Sequence, residues 1–220
     1  MADLSAALTK DQQGARLRIL EAAYALFLQR GVAAVGIEDI LRLSGCARAS
    51  LYSHFRSKEA LAAAAIDLQL ERWEAMWDAC GSTERGYDPE HQLIAIFEMF
   101  DSCFRETGPV GCIFVKILME TAADDPLHTA SAAKMRRIGE LIAEAASRAG
   151  LADADQFAWV WLMMLQGSVV SGSAGDVEAA SKALVGARRL IADWPRRRLA
   201  VADTGLDVLA EAPAEARIGA

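Results

Sequence analysis

The chain has 220 residues and a mass of 23.7 kDa, room for one large domain or for a small one followed by a larger one. Hydrophobic residues make up 53% and charged residues 24%, which excludes a largely disordered chain. The net charge of −7 is unevenly placed: residues 1–60 carry eight Lys/Arg against six Asp/Glu, a balance of +2, and the other 160 carry fifteen against twenty-four, or −9. A locally basic head on an acidic body suits a protein that touches nucleic acid at one end only. The longest apolar run, residues 157–165, is half of what a bilayer needs, and the N-terminus lacks a basic region followed by a hydrophobic one. A cytoplasmic location and no membrane partner are expected. Cys46, Cys80, Cys103 and Cys112 are widely spaced without a C-x-x-C pair, and there are only three histidines. Reduced thiols and no metal site follow.

In chain order, residues 1–10 are expected to fray. Over residues 12–29, Leu17, Leu20, Tyr24 and Phe27 recur at three and four, which predicts an amphipathic first helix ended by Gly31. Ile37, Ile40 and Leu41 then share one face of a short second helix, stopped by Gly45. After the turn residue Cys46, Ala47, Leu51 and Phe55 stand four apart as the buried stripe of a third helix. That leaves Arg48, Ala49, Ser50, Tyr52, Ser53 and His54 to point elsewhere, a set without a large aliphatic residue. This is the helix-turn-helix pattern. Ser57 caps the next helix, entered by Lys58 and Glu59.

The run Gly31, Ile37-Glu38-Asp39-Ile40, Gly45, Leu51-Tyr52, His54-Phe55 and Ser57-Lys58-Glu59-Ala60-Leu61 resembles the DNA-binding domain of the tetracycline-repressor (TetR) family of transcriptional regulators. The motif covers roughly residues 15–65. The resemblance implies an all-α protein, with a three-helix helix-turn-helix domain at residues 1–60, a larger helical ligand-binding and dimerisation domain at 61–195 and a tail at 196–220. It implies that Arg48 reaches base edges, that Ala49 lies near the tip of the recognition helix, and that Ser50, Tyr52, His54 and Lys58 hold phosphates. Three positions depart from the family pattern. Gly36 stands for a usual Thr, Ala47 for Ser or Thr, and Ala49 for a frequent Gly, so the phosphate contacts there differ.

Beyond the motif, residues 58–81 run without a breaker as one long connecting helix carrying Trp73 and Trp77. Asp88-Pro89 opens a helix ended by Gly108-Pro109, and a further helix from residue 113 runs to a stop at Asp124-Asp125-Pro126. Asp125-Pro126 opens a helix to residue 149, and Asp153-Ala154-Asp155-Gln156 reads as a capping box. The helix after it is apolar on every side, which asks for two burial partners. Asp176 caps a last helix bearing Val177, Ala180, Leu184, Ala187, Ile191 and Trp194, and two such helices from each of two subunits form a four-helix bundle. No strand signal is present. The Arg run at 196–198 reads as a solvated turn, with a weak helix at 206–209 beyond it.

No phosphate loop, zincin or nucleophile-elbow motif is present, so catalysis and cofactors are not expected. The resemblance implies a small-molecule pocket in the helical domain, for which Phe100, Cys103, Phe104, Cys112, Met119 and Trp161 are candidates. The same residues would also make an ordinary core. Cys112, at the start of a helix, is either a dipole-activated thiol or a small packed residue. The expected function is a homodimeric regulator bound to palindromic operator DNA and released by an effector. The rivals are a constitutive DNA binder and a helical binding protein or enzyme with a degenerate head.

Overall fold

The computed structural model describes residues 10–83, 86–107 and 111–197. These residues are almost entirely helical: α1 (Lys10–Arg30), α2 (Ile37–Ser44), α3 (Arg48–His54), α4 (Lys58–Gly81), α5 (Pro89–Thr107), α6 (Ile113–Glu120), α7 (Pro126–Arg148), α8 (Ala154–Ser173) and α9 (Ala179–Asp193). A two-residue antiparallel ribbon, β1 (Ser82–Thr83) and β2 (Gly86–Tyr87), links α4 to α5. Two-residue strands are too short to show alternation, which is why the sequence gives no sign of them.

Ile19, Leu20, Ala23, Leu26 and Phe27 form the buried face of α1. Leu17, expected on that face, is exposed, because it lies six residues before Ala23 and hence about a third of a turn away. Gly45 adopts φ 65° and its N–H closes α2 on the Leu41 carbonyl. Leu51 and Phe55 are buried as the stripe of α3 requires, but Ala47 is exposed. It stands at the N-cap, outside the helix, where the four-residue spacing no longer sets its direction. Ser57 caps α4, accepting from the Ala60 N–H at 3.1 Å.

The larger half is held by an aromatic cluster. Trp73 and Trp77 of α4 stack at 5.1 Å, and Trp161 of α8 meets Trp77 and Phe97 edge-on at 5.9 and 4.9 Å. The Trp161 indole N–H donates to the Leu93 carbonyl at 3.1 Å, so the buried polar atom is satisfied. Ion pairs from Lys134 to Asp67 and from Arg137 to Glu74 tie α7 to α4. Asp88 and Asp125 cap α5 and α7 through their carboxylates, as the Asp-Pro pairs predict.

Four local expectations need correction. Helix α6 ends at Glu120, before Asp124, because the Thr121 hydroxyl turns back to the Ile117 carbonyl at 2.6 Å. Asp153 is no capping-box residue: its backbone is left-handed, φ 46°, and its side chain caps nothing, since the short link from α7 must reverse the chain there. Asp176 binds the Glu178 N–H and Lys182, so α9 starts only at Ala179 and Val177 lies exposed in the preceding turn. Finally, Arg196 and Arg197 are exposed, as expected, but tethered in an extended segment that bridges to Leu151 rather than in a turn. Arg196 donates to Glu90 and to the Ala149 carbonyl, and Arg197 donates to the Ser147 hydroxyl, which pins the chain to the end of α7. Fraying is expected over residues 1–10, but Lys10 already opens α1; residues 1–9 and the weak helix at 206–209 lie outside the described residues.

Candidate nucleic-acid interface and helical cavity

The head presents α3 on a floor made by α1. Leu51 and Phe55 face inward, and the Arg16 guanidinium lies 5.2 Å over the Phe55 ring. The Cys46 thiol packs toward the Ala15 carbonyl at 4.0 Å, so this turn cysteine is a spacer between α1 and the turn. On the outer side Arg48, Ala49, Tyr52 and Ser53 are exposed, and Ser50, His54 and Lys58 are half-buried beside them. All six predicted DNA contacts are therefore gathered along α3 and the first residue of α4.

Several of these groups are already held. Arg48 forms an ion pair with Glu38 at the start of α2. Ser53 donates to the Ser50 carbonyl at 2.8 Å, and Lys58 reaches the Ala33 carbonyl at 3.5 Å. The Gly36 N-cap has no side chain with which to bind the α2 N-terminus, as its identity requires. A second clasp holds the head to the larger half: the Glu120 carboxylate accepts the Ala33 N–H at 3.2 Å and fills the space beside Gly31, whose φ is 82°.

A cavity of about 60 Å³ lies among α4, α5, α7 and α8, under the start of α6. Phe100 and Cys112, predicted from the sequence, line it together with Trp73 and Phe114. The other four predicted residues do not. Met119 is 83% exposed on the outer side of α6, and Cys103 is exposed on α5. Phe104 is buried in a small separate cluster with Val169, Ala179 and Ala180, and Trp161 belongs to the aromatic core. Helical spacing marks all four as apolar, but it does not say whether a side chain enters this cavity, another apolar interior or solvent.

Cys112 is the half-buried N-cap of α6 and borders the cavity. Burial pushes this thiol above its ordinary value, and the nearby backbone N–H groups of Val115 and Phe114 do not offset it. Burial thus favours the packed reading of Cys112 over an activated thiolate. Sequence reasoning missed Gln69 and Gln166, which supply the polar lining of the cavity. Gln166 follows the apolar run 157–165, and that isolation was an available signal; Gln69, with Asp67 and Glu71 two residues away on either side, carried none. Among the described residues, no group of His, Cys, Asp and Glu is placed to hold a metal, and no helix is long and apolar enough to cross a membrane.

Residues 19–65 match the family model for bacterial regulatory proteins, tetR family. The head of this chain is a TetR-family domain. An uncharacterized HTH-type transcriptional regulator of Mycobacterium tuberculosis, Rv1255c, is 46% identical over 55 residues, which are 25% of this chain and 27% of that protein. The HTH-type transcriptional regulator TtgR of Pseudomonas putida is 30% identical over 135 residues, 61% of this chain and 52% of that one. The chain thus spans from about a quarter to about half of the curated relatives it matches. The structure of SCO4454, a TetR-family transcriptional regulator from Streptomyces coelicolor, superposes with a TM-score of 0.75 at 26% identity, over 83% of this chain and 96% of that one. The TetR-family layout of a helix-turn-helix head on a helical body therefore extends over the described chain.

Proposed function

We propose that this TetR-family chain is a cytoplasmic, homodimeric transcriptional repressor that binds a palindromic operator and leaves it when a small molecule fills the helical cavity. The observation that carries the DNA reading is the outer face of α3, where Arg48, Ala49, Tyr52 and Ser53 stand exposed on a helix whose other side is anchored by Leu51 and Phe55. Arg48 reads base edges, while Ser50, Tyr52, His54 and Lys58 fix the head on the phosphates. The head comprises residues 1–60, with α4 running on from it into the body. Dimerisation uses α8 and α9: Trp159, Met163 and Val170 form an exposed apolar stripe on α8, with Gly167 between them, and Val185 adds to it on α9. A stripe of that kind is stable in water only against a partner, and a second copy supplies the four-helix joint.

The effector site is the cavity beside α4, with Phe100 and Cys112 among its walls. Since α4 begins at Lys58 and also carries Trp73, the same helix touches the DNA-reading head and the cavity. The test is a reporter gene placed behind the DNA upstream of this gene. Deleting the gene should raise expression, and restoring it with Arg48→Ala should fail to lower it. Equal expression with and without the protein contradicts repression at that promoter.

A further inference from the structure

Gln69 borders the cavity from α4 and also meets α1. Its Oε1 accepts the Tyr24 hydroxyl at 2.8 Å. Beside that bond the Arg72 guanidinium lies 4.6 Å over the Tyr24 ring and pairs with Glu21. A carboxamide oxygen only accepts, so the Tyr24 hydroxyl is the donor in this bond. Burial also keeps the phenol above its ordinary pKa, so it remains a donor. With its oxygen engaged, Gln69 has the amide N–H groups left to offer, and they have no hydrogen-bond partner among the described residues.

No Lys, Arg, Asp, Glu or His lines this cavity; its polar side chains are the two glutamines, and the Gln166 amide nitrogen stands 4.0 Å from the Met135 sulfur. A net charge buried there would have no counter-charge. We propose that the cavity takes a neutral, mostly apolar molecule carrying one hydrogen-bond acceptor, and that Gln69 detects the acceptor and relays its presence to the DNA-binding head through Tyr24. This rests on the ligand-responsive reading above. Donation to an acceptor in the cavity draws the amide away from α1 and weakens the Tyr24 bond. Helix α1 is the floor under Leu51 and Phe55, so a change in its seat against α4 moves α3.

Size is met by one side chain. The cavity, at about 60 Å³, is smaller than the roughly 150 Å³ that holds a benzene ring in a protein core. Met135 and Leu162, however, line both the cavity and an open groove of about 200 Å³ between α7 and α8. Rotation of the unbranched Met135 side chain widens the cavity toward that groove and admits a ring; the charged Arg136, Glu140 and Asp155 line the groove, while Gln69 and the aromatic walls line the uncharged inner end.

The test uses the full chain, a fluorescent duplex from its upstream DNA, and three probes of one shape: acetophenone, α-methylstyrene, in which CH2 replaces the oxygen, and benzoate. Binding is followed by calorimetry and operator affinity by anisotropy. Acetophenone should bind and lower operator affinity by about tenfold, α-methylstyrene should bind with little effect on DNA, and benzoate should not bind. Tyr24→Phe keeps the ring over Arg72; it should bind acetophenone within about fivefold of wild type yet hold the operator equally well with and without it. Gln69→Leu should lose the preference for acetophenone over α-methylstyrene. Undiminished release from Tyr24→Phe overturns the relay and leaves a ligand-responsive protein in place. Failure of acetophenone to bind, or equally tight binding of benzoate, overturns the ligand class. Binding of acetophenone with no change in wild-type operator affinity removes the relay together with the ligand-responsive reading at this cavity.

Discussion

At the scale of single residues, Arg48 is held by a carboxylate that it would have to leave if, as proposed, it reads a base. Both side chains are more than half exposed, so the pair is worth about 0.2–1 kcal/mol after solvent screening. Glu38→Gln should therefore tighten DNA binding by up to about fivefold, measured as the dissociation constant at one salt concentration. Weaker binding would mean that Glu38 orients Arg48 for the base. Arg48→Ala should relax preference at particular base pairs, where a bidentate contact to guanine gives about 1–3 kcal/mol of discrimination. Lys58→Ala should weaken all sequences alike and reduce the salt slope by about one unit. An equal loss of specific and non-specific affinity in Arg48→Ala would reverse the two roles.

At the scale of elements, the contact between α6 and the head is the most exacting. Gly31 has φ 82°, and a Cβ there would collide with the Glu120 carboxylate that holds the Ala33 N–H. Left-handed backbone costs a residue other than glycine about 1–2 kcal/mol. Gly31→Ala should lower the melting temperature by about 2–4 °C per kcal/mol for a chain of this size. An unchanged melting curve would show that α6 moves aside freely. The signals that made the elements legible were the local ones: Gly45 after α2, Ser57 before α4, and the Asp-Pro pairs before α5 and α7 each act within one helical turn. What was not legible depended on distant parts of the chain. Leu17 and Met119 look like core residues by composition but face water, because helix orientation is fixed by partners far away in sequence. Gln69 reads as an ordinary polar break in α4 until Tyr24, 45 residues earlier, is placed against it. Asp153 has the letters of a cap, but the reversal between α7 and α8 takes its backbone out of capping geometry.

At the scale of the whole molecule, the stripe on α8 separates assembly from folding. Leu184 is partly buried and packs on the core, so Leu184→Glu should misfold the subunit as well as the joint. Met163 is 59% exposed, and charge in a dry helical interface costs several kcal/mol. Met163→Glu should therefore give folded monomers by sedimentation, with a wild-type circular dichroism spectrum and much weaker operator binding. A folded dimer from that variant would move the interface elsewhere. A two-fold dimer carrying two copies of α3 should read a two-fold DNA site, since half-site symmetry follows protein symmetry. Selection of duplexes from a random-sequence library by the intact protein, followed by sequencing, tests this most directly. The expected result is an inverted repeat bound by wild type and lost from the selected pool with Arg48→Ala; recovery of no shared sequence, or of the same repeat with Arg48→Ala, would contradict recognition of the operator through α3.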